Sequence, residues 1–226
     1  MRQEEQDMLT YQDVKNNATI RTYIKRADES LVALGYTEHS FAHVTHVAEM
    51  AGYILKTLGY PERTVELVKI AGFLHDIGNL VNRTDHSQSG ALMAFRILDN
   101  MNCDPEEIAT IVTAIGNHDE GTGIPVNAVA AALILADKSD VRRSRVRNRD
   151  QSTFDIHDRV NYSVVTSKLE ISEDCKIIRL VLTVDTEYGS IMDYFEIFMG
   201  RMLMCRKAAD KLGLQFKLSI NDQQLI

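Results

Sequence analysis

Residues 65–80 read VELVKIAGFLHDIGNL. Val65, Val68, Ile70, Ala71, Phe73 and Leu74 recur at helical spacing behind Pro61, a residue suited to the first turn of a helix, and the pattern predicts a helix that stops at Gly78. A helix this apolar belongs in an interior, yet it delivers His75 and Asp76 side by side at its end. A carboxylate taken out of water there needs a strong partner, and a cation is such a partner.

Helical patterns flank this stretch on both sides. Thr19 to Leu34 reads as a helix ended by Gly35, and His39 to Leu58 carries the apolar stripe Val44, Val47, Ala48, Ala51, Ile54, Leu55 and Leu58 before Gly59. Asp85 to Met101, Pro105 to Asn117 and Val126 to Ser139 complete a helical bundle. After Asp150 the period changes. Val164 to Ile171 and Lys176 to Val184 read as a β-hairpin about the turn Ser172 to Cys175, Gly189 to Leu212 returns to helical spacing, and Leu214 to Ile220 alternates like a third strand. The expected fold is mainly α, with a helical unit over residues 1–150 and a small α+β (ββαβ) appendage over residues 151–226. Phe195, Phe198, Met199, Met202 and Leu203 give the appendage an apolar face, expected to cover one side of the bundle or to form a homodimer contact.

Composition narrows the class. A chain of 226 residues makes one domain with a sizeable appendage, or at most two. No apolar run approaches the roughly 18 to 20 residues of a membrane span, and the first twenty residues lack the basic start and apolar stretch of an export signal, so a cytoplasmic address and no membrane partner are expected. Lys and Arg number 25 against 32 Asp and Glu, a formal net charge of −7 that argues against a stable nucleic-acid complex. Cys103, Cys175 and Cys205 are too far apart for a thiolate metal site or a disulfide framework and read as small buried apolar residues.

Four His and two Asp carry the chemistry. His43, His75, Asp76, His86, His118 and Asp137 all fall within or beside apolar helical patterns, and imidazole nitrogens with carboxylate oxygens suit borderline divalent metals. Six such ligands suffice for two ions, since a carboxylate bridges where imidazole does not. Taken singly, an inward His is more often bonded to a carbonyl than to a metal, and Asp137 could equally cap a helix or pair with an Arg. His46, one turn beyond His43, reads as a cleft residue rather than a ligand, while His39 is expected to be exposed near a helix start and His157 to be structural, with a place in the cleft as its alternative. Arg142, Arg143, Arg145, Arg147 and Arg149 follow Asp137 and Lys138 directly. Their forks match phosphate oxygens, and the plain alternative is a solvated loop pairing with Asp150, Asp155 and Asp158. Lys138, Arg142 and Arg143 begin where the ligand helix ends and are the expected substrate contacts.

His43 in HVTHVAEMA, His75 and Asp76 in AGFLHDIGN, and Asp137 in LADKSD together resemble the H…HD…D signature of the HD superfamily of metal-dependent phosphohydrolases. His86 in HSQSG and His118 in AIGNHDEGTGIP resemble the additional His positions of its two-metal branches, including the HD-GYP phosphodiesterases. The resemblance covers about Glu38 to Val141. It implies an HD-type bundle in which His43, His75, Asp76 and Asp137 hold a first ion, and Asp76 bridges to a second held also by His86 and His118. Asp76 and Lys138 would then act in catalysis, with Arg142, Arg143 and His46 on the substrate. The implied cofactors are two divalent transition metal ions (Mn, Fe, Co, Ni or Zn, with Mg as a further choice). The implied activity is hydrolysis of a phosphate ester or anhydride, in a small and nucleotide-like phosphorylated substrate. Asn79 in place of the Lys that follows HDIG in HD-GYP proteins, GIP at Gly123 to Pro125, and Asp119 in place of a second His argue against a cyclic dinucleotide. Two other functions fit the same ligands: a di-iron oxygenase of HD fold, and a regulatory binding module without activity.

Overall fold

The computed structural model describes residues 8–226; the first seven, part of the stretch read for an export signal and of the 1–150 unit, lie outside the described residues. Helix α1 (Tyr11–Asn16) precedes α2 (Ala18–Ala33), α3 (Phe41–Thr57), α4 (Glu62–Leu74), α5 (His86–Asn100), α6 (Pro105–Gly116) and α7 (Ala128–Ser139). Side chains close their starts: Asn17 accepts from the N–H groups of Thr19 and Ile20, Asp104 from those of Glu106 and Glu107, and Asn127 from that of Ala130. Helix α1 has no counterpart among the predicted helices, because 6 residues are too few to display a period. Thr10 and Asp13 form its capping box, and it buries Tyr11 and Val14.

One boundary differs in a way that matters. Helix α4 stops at Leu74 instead of Gly78, and the chain turns at Asp76 (φ −94°, ψ 2°) into a 3₁₀ turn over Ile77–Leu80. Gly78 shows why the turn is tight: a Cβ there would stand 2.0 Å from the His86 carbonyl oxygen and 2.4 Å from the Gly90 nitrogen, so the turn lies directly on the backbone of α5. That contact sets Asp76 beside His86. Gly72 does the same between helices, since its Cβ would meet the Ala48 Cα at 2.7 Å, and it lets α4 press against α3. Helix α7 is apolar nearly all round, with Ala130 to Ala136 wholly buried, and packs against α3, α4 and α6.

Beyond the bundle come α8 (Ile156–Ser163), β1 (Val164–Ile171), β2 (Ile177–Val184), α9 (Ile191–Lys211), β3 (Gln215–Ile220) and β4 (Gln223–Gln224). The strands lie in the order β1-β2-β3-β4, antiparallel, then parallel, then antiparallel, and α9 makes the crossover that a parallel β2–β3 pair requires. Register pairs Ile178 with Phe216, Leu180 with Leu218 and Leu182 with Ile220, which places one apolar row on one face of the sheet. Two elements were not anticipated. Helix α8 buries Val160, Asn161 and Ser163, too polar a set to show an apolar stripe, and β4 is only 2 residues long.

The predicted apolar face of α9 divides. Phe198 and Met202 are each 1% exposed on the side where α9 meets α7, whereas Met199 and Leu203 remain 46% and 43% exposed. A single apolar cluster joins the helices to the sheet, running from Val47 and Phe73 through Leu133 to Phe198, Leu180 and Leu218. Cys103 and Cys205 are buried, Cys175 is half-buried, and all three are free. Among the described residues no helix is long and apolar enough to cross a membrane.

Two glycines test this packing with opposite signs. Gly78→Ala should destabilise by about 1–3 kcal/mol or more, because the added methyl meets backbone rather than a side chain that can swing away. Gly200→Ala, in α9 with nothing within 4 Å of its Cβ position, should stabilise by about 0.5–1 kcal/mol through helix propensity. Urea midpoints at unchanged slope would measure both.

Candidate metal centre

Four helices and one turn bring the six candidate ligands together. His43 comes from α3, His75 and Asp76 from the end of α4, His86 from the start of α5, His118 from just beyond α6 and Asp137 from α7. All but Asp137 are buried, and they form three overlapping groups: His43, His75 and Asp76; His75, His118 and Asp137; Asp76, His86 and His118. Within each group the ligand atoms lie within 4.8 Å of one another.

Each imidazole is oriented through its far nitrogen. Nδ1 of His43 lies 2.7 Å from Asp140 Oδ2, and Nδ1 of His75, His86 and His118 lies 2.8, 3.1 and 2.6 Å from the carbonyl oxygens of Gly72, Arg83 and Ile115. A carbonyl accepts only, so Nδ1 carries a proton in the last three and Nε2 is the nitrogen left to face the cluster. Three of the four Nε2 atoms stand close to the two carboxylates. His43 Nε2 is 3.5 Å from Asp76 Oδ2 and 3.4 Å from Asp137 Oδ1, His75 Nε2 is 3.2 and 3.7 Å from the same atoms, and His86 Nε2 is 3.6 Å from Asp76 Oδ1.

Three of these atoms, His43 Nε2, His75 Nε2 and Asp76 Oδ2, are buried without a hydrogen-bond partner. His86 Nε2 and His118 Nε2 face each other at 3.2 Å, and with both protons on Nδ1 this is a meeting of two lone pairs. Neither arrangement is comfortable by itself. Both fit cations placed among the ligands, since two imidazoles sharing one ion at roughly 2.1 Å each come about this close.

The electrostatics agree. Burial pushes His75 down, yet the Asp76 and Asp137 carboxylates outweigh it and raise its pKa to about 10, so this is a place that favours positive charge. Burial would raise Asp76 and Asp137, but neighbouring His75 in the first case and Lys138 in the second hold them well below the usual carboxylate range. His118 is driven well below the ordinary histidine value by burial and then by the neighbouring positive charges of His75 and Lys138. Four neutral or shareable imidazoles around two permanent carboxylates make a donor set for divalent transition metals.

The cluster forms the floor of a cavity of about 460 Å³ that Asp76, His86, His118 and Asp137 line. Lys138 also lines it, with Nζ 2.8 Å from Asp137 Oδ2 and 3.4 Å from Glu120 Oε2. Burial pushes the Lys138 pKa down, but Asp137 and Glu120 outweigh it and carry it above the ordinary lysine value.

The expected substrate contacts Arg142, Arg143 and His46 are placed elsewhere. Arg142 grips Asp140 with Nε at 2.7 Å and Nη2 at 3.2 Å. Arg143 bonds the Tyr162 carbonyl and Asp185 and lies 4.5 and 5.2 Å from the ring centres of Tyr162 and Tyr188. Neither lines the cavity, and the solvated-loop alternative fares no better, since their partners are Asp140 and Asp185 and not Asp150, Asp155 or Asp158. Asp140 already binds His43, so Arg142 is drawn to the back of the cluster. The side chain of His46 is 43% exposed, with Nε2 4.0 Å from Asp140 Oδ1 and outside the cavity wall.

Other residues take those places. Arg83, Arg145 and Arg201 supply the cavity's guanidinium groups, and His39 and His157 line it as well. His39, expected to be exposed, is half-buried with its ring centre 5.5 Å from that of His43, because Glu38 N–H bonds the Arg145 carbonyl and folds this segment inward. Sequence reasoning also passed over Asn79, which donates to the Asp76 carbonyl and to Asp76 Oδ1 at 2.9 and 3.0 Å, and Asp140. Four positions after HDIG's His, Asn79 was weighed only as a departure from a family motif.

Residues 40–160 match the HD domain family. The chain is also 29% identical over 206 residues to the uncharacterized protein MJ1020 of Methanocaldococcus jannaschii, covering 80% of this chain and 78% of the relative. Among solved structures, a predicted HD superfamily hydrolase from an uncultured Thermotogales bacterium aligns with a TM-score of 0.43 and 24% identity, over 55% of this chain and 67% of that one.

Added Mn²⁺ or Zn²⁺ at about a hundred times its dissociation constant should stabilise the protein by about 2.7 kcal/mol, or roughly 5–10 °C in thermal midpoint. Asp140→Asn should weaken that metal affinity about 10- to 100-fold, because it leaves His43 unaimed while removing no ligand. A metal titration followed by scanning calorimetry reads both effects.

Proposed function

The chain belongs to the HD domain family, and on that premise we propose that it is a metal-dependent phosphohydrolase cleaving a phosphate ester or anhydride of a small, nucleotide-like molecule. The observation that carries this reading is the convergence of His43, His75, His86 and His118 with the Asp76 and Asp137 carboxylates, among which His43 Nε2, His75 Nε2 and Asp76 Oδ2 lack any hydrogen-bond partner. His43, His75, Asp76 and Asp137 would hold one divalent cation, and Asp76, His86 and His118 a second. Cations so held supply Lewis-acid polarisation of phosphoryl oxygens and acidify water to give a nucleophile near neutral pH.

The protein's own groups then orient and neutralise. Lys138, kept protonated beside Asp137, offers a fixed ammonium to a phosphoryl oxygen at the cluster's edge. Arg83 Nη1 stands 3.9 Å from Asp76 Oδ1 and 3.3 Å from Asn79 Oδ1, which brings a guanidinium to the rim of the same site. Asn79 fixes Asp76 by its two hydrogen bonds, so the carboxylate does not swing when substrate arrives. Arg83, Lys138, Arg145 and Arg201 on one cavity favour an anionic substrate over the dioxygen chemistry that the same ligands support in an oxygenase.

Metal analysis of untagged protein together with a panel of phosphatase and nucleotide substrates tests the reading. His86→Ala or His118→Ala should lower metal content from two ions per chain towards one and abolish most turnover while the fold persists; two ions retained by either variant would remove the second site. Lys138→Met should leave metal content unchanged and lower kcat by about 10²- to 10³-fold on the preferred substrate.

A further inference from the structure

Arg201 reaches the cavity from α9, a helix to which the sequence reading gave no chemical role. Two contacts fix its guanidinium. The carbon at its centre lies 4.4 Å from the ring centre of Phe198, itself 1% exposed, and Nε is 2.6 Å from Glu120 Oε1. Among the described residues neither Nη1 nor Nη2 of Arg201 donates a hydrogen bond, and the side chain is 27% exposed.

The remaining cations of the cavity are committed differently. Lys138 is held by Asp137 and Glu120, and Arg145 spends Nε on the Glu38 carbonyl and Nη1 on the Asp140 carbonyl. Arg83 stands over the ligand Asp76. Arg201 is thus a stacked and anchored fork with its two outer nitrogens unspent, set beside Glu120 rather than against a metal ligand. A guanidinium held in this way matches two oxygens of one tetrahedral anion, and pre-orientation removes the entropic cost a free arginine would meet.

We propose that Arg201 binds a second phosphate of the substrate, one that does not react, so that the site prefers phosphoanhydrides and bisphosphates to lone monoesters. This rests on the phosphohydrolase reading above. In that arrangement the appendage supplies a specificity contact as well as a wall.

The test is calorimetric binding of inorganic phosphate and of methylenediphosphonate, which is not hydrolysed, to the full chain loaded with Mn²⁺. The wild-type protein should bind the diphosphonate at least tenfold more tightly than phosphate. Arg201→Met should erase that advantage and leave phosphate affinity within about twofold, and Arg201→Lys should restore part of it. Equal weakening of both ligands in Arg201→Met and Arg201→Lys would make Arg201 a merely structural residue, and an undiminished advantage in either would remove it from the site; both outcomes overturn the proposal. A wild-type protein that binds phosphate without preferring the diphosphonate sinks this proposal alone. One that binds neither sinks the phosphohydrolase reading with it.

Discussion

His43 Nε2, His75 Nε2 and Asp76 Oδ2 face one another in the interior without a hydrogen bond among them, and the rest of the structure is arranged to keep them there. Leaving one buried polar atom unpaired costs about 1–3 kcal/mol, so three together are a large debit for a protein whose total stability is about 5–15 kcal/mol. The debit is concentrated, not scattered. Around it every second nitrogen is satisfied: Asp140 takes that of His43, and backbone carbonyls take those of His75, His86 and His118. The rings are therefore oriented before any ion arrives, and a cation that completes them meets little reorganisation.

Such density of ligands demands close backbones. Ligands from α3 and α4 meet because Gly72 lets those helices touch at Ala48, and Asp76 meets His86 because Gly78 lies on the backbone of α5. Helix α7, buried on nearly all sides, contributes Asp137 and Lys138 from adjacent positions. The Asp137 carboxylate is split between them, Oδ1 towards His43 and His75, Oδ2 towards Lys138. One side chain thereby links the cluster to the cation nearest it.

Helices α2 to α7 and α9 and all six candidate ligands were legible because polar residues stand out against an apolar period: His75 and Asp76 after Phe73 and Leu74, and Asp137 after Leu133 and Ile134. What was not legible has a common physical reason. Asp140, Asn79, Glu120, Arg83 and Arg201 act from helix ends, loops or a distant helix, where a charged residue is ordinary and breaks no pattern. Arg142 and Arg143 lie away from the cavity for the converse reason, although Arg145 of the same run lines it. Charge density along the chain says nothing of partners, and Asp140, Asp185, Tyr162 and Tyr188 claimed Arg142 and Arg143 before any cavity could. His39 seemed exposed because it precedes the helical period of α3, and only the long-range bond from Glu38 to Arg145 folds it inward. A boundary was also missed at α4, where the apolar run continues past Leu74 although the backbone has already turned.

The C-terminal elements hold the far end of this machinery. Helix α9 buries Phe198, Met202 and Cys205 on the side where it meets α7, and the apolar row of β2 and β3 joins α9 in the same cluster. Strand β1 is tied to the end of α7 where Ser167 Oγ donates to the Ser139 carbonyl at 2.5 Å, one residue beyond Lys138. Arg143 bridges the same segment to Asp185, in the loop after β2. His75, His86 and His118, by contrast, are held by backbone carbonyls of α4, of the turn before α5 and of α6, and His43 by Asp140 at the end of α7. Loosening the appendage would therefore displace Glu120, paired with Arg201 of α9, before it disturbed His75, His86 and His118, whose rings are set by backbone carbonyls of the bundle. The candidate ligand cluster and the cation beside it thus rest on different parts of one apolar core, joined at Asp137.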